Sequence, residues 1–290
     1  DALESAQQNL SFNTLSAALI DKLGIKALDD NALVSLELKK ADGGYTNAAA
    51  LLADENSFFG IDVARFGDSI NVILFRRTLE RQSVLRQLSG AMSVFDDYYT
   101  YEEIIGFERV KKESIPREAF REAVANALVH RRWDVNGSIA IRMFPDRIEV
   151  TSPGGLPDGM SEEAYLSGGP SIARNPILAN LFFRLGYIER FGTGIPRIIE
   201  SYADRAASPR FRIDSSCITV ILPTDEAGTL STEERAILRA VPQGALMTRK
   251  EIEHAVGTSK DKTIRLINSL VEKGVIGKTG SGRATKYHRC

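Results

Sequence analysis

The sequence predicts an α+β chain built of two units, and three observations carry this. Through residue 223, short β-branched and aromatic runs alternate with stretches whose apolar residues recur at helical spacing. "PTDEAGTLS" (223–231) then breaks the pattern with Pro, Gly and polar residues and marks a boundary. Beyond it, three short helical patterns precede a Gly/Ser/Lys/Arg turn between two strand-like runs, the order of a winged helix-turn-helix. The expected organisation is an α+β domain over residues 10–223, a linker over 224–230, and an all-α/winged helix-turn-helix domain over 231–290.

Each element follows from local chemistry. "NTLSAALIDKLGI" (13–25) has helical periodicity and ends at Gly24, a C-cap residue. "TNAAALLA" (46–53) follows the Gly43–Gly44 turn as a second helix. "FFGIDVARF" and "INVILFRR" have strand character around "GDS", and residues 80–99 form an amphipathic helix before a strand over 103–112. Pro116 suits the first turn of a helix running to about Arg132. "GSIAIRMF" and "DRIEVTS" form a hairpin that buries Ile139, Ile141, Ile148 and Val150. After the glycine- and proline-rich "PGGLPDGM", helices are expected at "EEAYL", "NPILANLFFRLG" and "IPRIIESYADRA", then strands at "RFRID" and "CITVILP". The tail helices fall at 231–241, 248–256 and 259–273.

Composition narrows the function classes. At 290 residues, 43% hydrophobic and 26% charged, the chain matches a soluble globular protein of two domains. No run approaches the ~20 apolar residues that span a bilayer, so no membrane partner is expected. The opening "DALESAQQNLSFN" has neither a signal pattern nor an initiator Met and reads as the interior of a longer protein. Cys217 and Cys290 make no disulfide framework, which places the chain in a reducing cytoplasm. His130, His254 and His288 are scattered, so no structural metal is expected. The net charge of −1 conceals an asymmetry: residues 228–290 carry +6, the remainder −7.

That basic tail points to double-stranded DNA. Its third helix would offer Ser259, Lys260, Lys262, Thr263 and Arg265 to a major groove, with Ile264, Ile267, Leu270 and Val271 on its core side. The wing would set Lys278, Ser281, Arg283 and Lys286 against phosphates. Winged helices also serve as protein–protein modules, and that alternative stays open. Since dimers commonly read two half-sites, a homodimer is expected.

"REAVANALVHRRW" (121–133) poses the second question. Glu122, Asn126 and His130 stand four apart, so a helix lines them up on one side. The stripe is either a nucleotide and metal site or a capped, solvated helix face. Together with "DRIEVTSPGGLP" and "SIARNPILANLFFRLGYIERFGTGIPRI", this stretch resembles the C-terminal region of a bacterial family of transcriptional regulators and RecG-related ATP-dependent DNA helicases. The likeness runs more weakly back to about residue 10. This region of the family is similar to the GHKL ATPases, the fold of gyrase and histidine kinases. The resemblance therefore implies a GHKL-like two-layer α/β sandwich. Complete members carry an AlbA-like (Schlafen-type) domain upstream, which these 290 residues do not include. Nothing resembles a P-loop G-x-x-x-x-G-K-S/T, which argues against a helicase motor.

The resemblance implies Glu122 as general base and Asn126 as the Mg²⁺ ligand of an ATP site, chemistry that suits a carboxylate beside a metal-bound water. It implies nucleotide contacts from His130, Ser152, Gly154, Gly155, Arg174, Gly192, Thr193 and Gly194, the glycines closing backbone N–H groups on phosphate oxygens. "GTGI" also opens a helix, whose N-terminus favours an anion. Departures weaken the ATP site: Ser152 stands where the superfamily places an Asp for the adenine amine, and Val129 where an Asp follows the Asn by three. Pro153 and Pro196 interrupt the glycine boxes. The leading expectation is a DNA-binding transcriptional regulator with a degenerate nucleotide-binding body. The rivals are a Mg-dependent ATPase acting on DNA and a non-enzymatic interaction scaffold.

Overall fold

The computed structural model describes the chain except residues 68, 170, 171, 190, 191, 206, 225–230, 243, 274, 281, 283, 284 and 290, and the side chains of Thr232 and Arg235. The predicted linker thus lies mostly outside the described residues. The first helix, α1 (Asn13–Leu23), stops at Gly24 as its sequence indicates. A short α2 (Asp30–Ser35), which the periodicity does not reveal, starts where the Asp29 side chain accepts from the Ala32 N–H. Thr46 caps α3 (Asn47–Leu52) in the same way. Strands β1 (Ile61–Phe66) and β2 (Ile73–Leu79) pair antiparallel, and Ser83 caps α4 (Val84–Tyr99).

The strand expected at 103–112 is instead a two-stranded hairpin, β3 (Thr100–Ile105) and β4 (Glu108–Glu113). The chain reverses at Gly106, whose φ of 64° is open to glycine at little cost. Then follow α5 (Arg117–His130), β5 (Ile139–Met143), β6 (Arg147–Pro153), α6 (Glu162–Ser167) and α7 (Pro176–Arg184). Helix α8 (Gly194–Glu200) is shorter than its pattern suggests and gives way to turns before β7 (Arg210–Ile213) and β8 (Cys217–Pro223).

Six strands form one mixed sheet in the order β2-β1-β5-β6-β8-β7. Only β1 and β5 run parallel, because the crossover through α4 and α5 returns the chain to the same end of the sheet. Burial alternates along the strands: Ile61, Val63, Ile139, Ile141, Ile148 and Val150 are buried, whereas their neighbours are half-buried or exposed. One face therefore packs on the helices and the other meets water, a two-layer α+β arrangement. Helix α5 lies centrally in the helical layer, packed on α4, α7, α8 and β6.

Residues 231–289 build a separate hydrophobic cluster. It comprises α9 (Thr232–Ala240), β9 (Met247–Thr248), α10 (Arg249–Val256), α11 (Lys260–Glu272), β10 (Ile276–Thr279) and β11 (Lys286–Arg289). Capping boxes start α9 (Ser231 with Glu234) and α10 (Thr248 with Glu251), each satisfying two N-terminal N–H groups. The strands pair antiparallel in the order β10-β11-β9, one strand more than expected. Leu266, Ile267 and Leu270 of α11 fill the cluster; Leu266 takes the place expected of Ile264. The two units touch through cations. Arg289 donates to the carbonyls of Tyr202, Ala203 and Arg205 just past α8, and Arg239 pairs with Asp204 at 2.5 Å.

Candidate functional site

The stripe on α5 faces a cavity, not open solvent. Ala119, Phe120, Ala123, Val124, Ala127 and Leu128 bury the helix, and the same packing carries Glu122 inside, where it is 1% exposed. Asn126, one turn on, donates its Nδ2–H to Glu122 Oε1 at 3.3 Å. Glu122 Oε2 is buried with no hydrogen-bond partner; its nearest cation is Arg121 at 3.9 Å. Burial raises the Glu122 carboxyl above its ordinary pKa, and the opposing pull of Arg121, Arg197 and the Asn126 hydrogen bond does not cancel it. His130, a further turn on, is held down at about 4 by burial and then by the Arg174 cation, so its imidazole is neutral at physiological pH.

The first glycine loop is fastened to the protein. Gly154, at φ 101°, donates its N–H to the Ser216 carbonyl at 2.7 Å. A Cβ there would meet Arg132 and Arg174 at 2.9 Å, and one on Gly155 would sit 2.6 Å from the Ser215 carbonyl oxygen. The Ser152 hydroxyl donates to the Ala127 carbonyl at 3.3 Å, tying β6 to α5. Arg174 donates one terminal nitrogen to the His130 carbonyl (2.9 Å) and the other to the Gly155 carbonyl (3.0 Å).

The second loop lies directly on the stripe. A Cβ on Gly194 would stand 2.5 Å from Glu122 Oε1 and 2.8 Å from Asn126 Nδ2; one on Gly192 would stand 2.3 Å from the Gly169 carbonyl oxygen. These glycines allow backbone to approach protein atoms. Thr193 is the N-cap residue of α8 but makes no side-chain cap bond, and it does not line the cavity. The other residues singled out here, Glu122, Asn126, His130, Ser152, Gly154, Gly155, Arg174, Gly192 and Gly194, all do.

The cavity holds about 930 Å³ of empty space, part of it open solvent at the mouth. Its floor is apolar, from Val150, Ile218 and Val220, and its far side carries Met160, Tyr165 and Ile172. Mg-ATP fits it in part. The paired Glu122 and Asn126 side chains suit a metal-bound water, whereas protein contacts take up part of the phosphate end among the described residues. Among the described residues, Gly154 has its N–H committed, Arg174 is held by carbonyls, no lysine lines the walls, and Gly192 and Gly194 leave no room for a Cβ against protein. No cluster of three His, Cys, Asp or Glu side chains able to hold a metal occurs among the described residues.

Periodicity does not single out two residues that shape this site. Asn175 is buried and donates its Nδ2–H to the Val129 (2.8 Å) and Arg131 (3.0 Å) carbonyls, closing the C-terminus of α5. The signal was the "RNP" tripeptide, where Pro176 opens α7 and leaves Asn175 free to serve the neighbouring helix. Arg131 is the largest fully buried side chain among the described residues. It donates to the Gly137 carbonyl at 2.5 Å and lies 4.3 Å over the Trp133 ring, and burial pulls it down to about 10.

Of the proposed DNA-contacting residues, Lys260, Arg265, Lys278 and Lys286 are exposed. Lys262 pairs with Glu233 at 2.5 Å. Thr263 is a correction: it is fully buried, its hydroxyl bonded to the Ser259 carbonyl at 3.0 Å and to Thr258 Oγ1 at 2.8 Å, so no groove can reach it. Ser281 and Arg283 lie outside the described residues. Among those described, no helix is long and apolar enough to cross a membrane.

Comparisons with known proteins place part of this architecture. Residues 136–222 match a family model described as "Putative ATP-dependent DNA helicase recG C-terminal". The chain therefore carries a RecG-related, ATPase-like region over β5 to β8 and the glycine loops between them. It superposes on the crystal structure of the DIP2311 protein from Corynebacterium diphtheriae with a TM-score of 0.70 at 19% identity. The match covers 99% of this chain and 63% of that one, so this chain spans less than two thirds of that protein's length. At this identity the likeness shows a shared fold alone. No curated protein matches the chain.

Proposed function

We propose that the chain is a DNA-binding transcriptional regulator. In this reading residues 231–290 form a winged helix-turn-helix on duplex DNA, and the body is a GHKL-like, ligand-sensing and dimerising module. The observation that carries it is the cation-bearing surface of the C-terminal unit. Helices α10 and α11 are joined by three residues, Gly257 to Ser259, the connection of a helix-turn-helix. Lys260 and Arg265 on α11, with Lys278 and Lys286 on the β10–β11 hairpin, are exposed in a segment of +6 balance.

Fluorescence anisotropy of the full chain on duplex DNA tests this. Lys286→Ala should weaken binding about equally on all sequences, whereas Arg265→Ala should also relax sequence preference. Two variants indistinguishable from the parent would reject the assignment. Pairing is supported by the sheet's edge: on β2, Ile73 is 60% and Leu74 54% exposed, an apolar edge that an antiparallel copy would cover. Light scattering should give a dimer, and Leu74→Lys a monomer; a monomeric parent at high concentration removes this part of the reading. An ATPase acting on DNA is less well supported, because the Gly154 N–H of the first glycine loop is already bonded to the Ser216 carbonyl.

A further inference from the structure

We infer that the open face of the six-stranded sheet is a second phosphate-binding surface, which takes the backbone of the duplex flanking the segment held by the C-terminal unit. The inference rests on the reading of that unit as a DNA-binding module, and extends the path of the DNA onto the body.

Strand register places the cations. Residues paired across neighbouring strands share a face, so one row crosses the whole sheet as Arg76, Ala64, Arg142, Glu149, Ile221 and Arg210. The next row runs Thr78, Asp62, Ala140, Thr151, Thr219 and Arg212. Arg76, Arg142, Arg210 and Arg212 are exposed. The two carboxylates in these rows are engaged: Glu149 accepts from Arg147 Nε at 2.8 Å, and Asp62 accepts from the Thr78 hydroxyl at 2.6 Å. This face is therefore cationic, although the sequence ahead of residue 228 carries a balance of −7.

Its shape suits a duplex backbone. Five strand spacings separate β2 from β7, about 24 Å, or about seven base steps along a duplex. Ala64 and Ala140 are short, so a backbone can come down between guanidinium forks that match phosphate oxygens. Neither row carries an aromatic ring on which single-stranded bases could stack. The face also leads away from the C-terminal unit: Arg239 of α9 pairs with Asp204, six residues before Arg210.

Anisotropy of the full chain on a duplex of about 30 base pairs tests this. Contacts on the body should steepen the salt dependence beyond that of the C-terminal cations. Arg142→Ala and Arg210→Ala should each weaken binding and make the slope of log K against log salt shallower by about one. Arg142→Lys keeps the charge and should restore most of that slope. Arg86→Ala removes an exposed charge from α4, in the helical layer, and should change nothing. On a duplex of about 10 base pairs, one helical turn held by the C-terminal unit, Arg142→Ala and Arg210→Ala should match the parent. Variants that match the parent on the longer duplex, or an equal loss in Arg86→Ala, would overturn the inference and leave the arginines to an acidic protein or to solvent. If Lys286→Ala alone weakens binding, the regulator reading stands and this surface falls. If the body arginines alone matter, the surface stands without the winged unit. A parent that binds no DNA overturns both.

Discussion

Glu122 is a carboxylate that the fold keeps dry. Its raised pKa means the folded state holds the proton more tightly than the unfolded chain does. The stability this group contributes is therefore present below its unfolded pKa and lost as pH rises through the folded one. Glu122→Gln removes the titration. Thermal melts should show the variant gaining on the parent at pH 7.5, with the gap closing toward pH 4; a gap that widens in acid would contradict the burial argument. The four-residue spacing of Glu122, Asn126 and His130 was readable in the sequence. What it could not show was depth, because depth is set by Gly194, 72 residues on, packing over the pair. Thr263 failed for a related reason: in a helix a threonine reads equally as groove contact or core, and Thr258 and Ser259 decided it.

Among the elements, α5 organises the body, and its C-terminus is closed by a side chain from outside the helix. Asn175→Ala would leave the Val129 and Arg131 carbonyls buried without that donor, and should cost about 1–3 kcal/mol in chemical denaturation. A loss below ~0.5 kcal/mol would mean that water replaces the amide. Most elements were legible where apolar periodicity was strong: α1, α4, α5 and the β5–β6 hairpin all stand close to their predicted spans. The β3–β4 hairpin was not. Its turn carries a single glycine without the Asn-Gly or Asp-Gly signal, and its strands are mostly exposed, so no alternation marks a buried face. Two-residue β9 pairs only with β11 and is fixed by tertiary contact.

For the whole molecule, the charge asymmetry of the sequence corresponds to a physical division. The larger unit holds the cavity and the acidic balance, and the smaller unit holds the basic balance. Helix α8 links them, starting at the glycine loop over Glu122 and ending at the turn that receives Arg289. The central claim is that the smaller unit binds DNA through its cations. The most direct measurement is the DNA affinity of the full chain as a function of salt. With Lys260, Arg265, Lys278 and Lys286 each neutralising a phosphate, log K against log salt should fall with a slope of about −3 to −4. A flat dependence, or no binding at low salt, would contradict the account and leave the C-terminal unit as a protein-binding module.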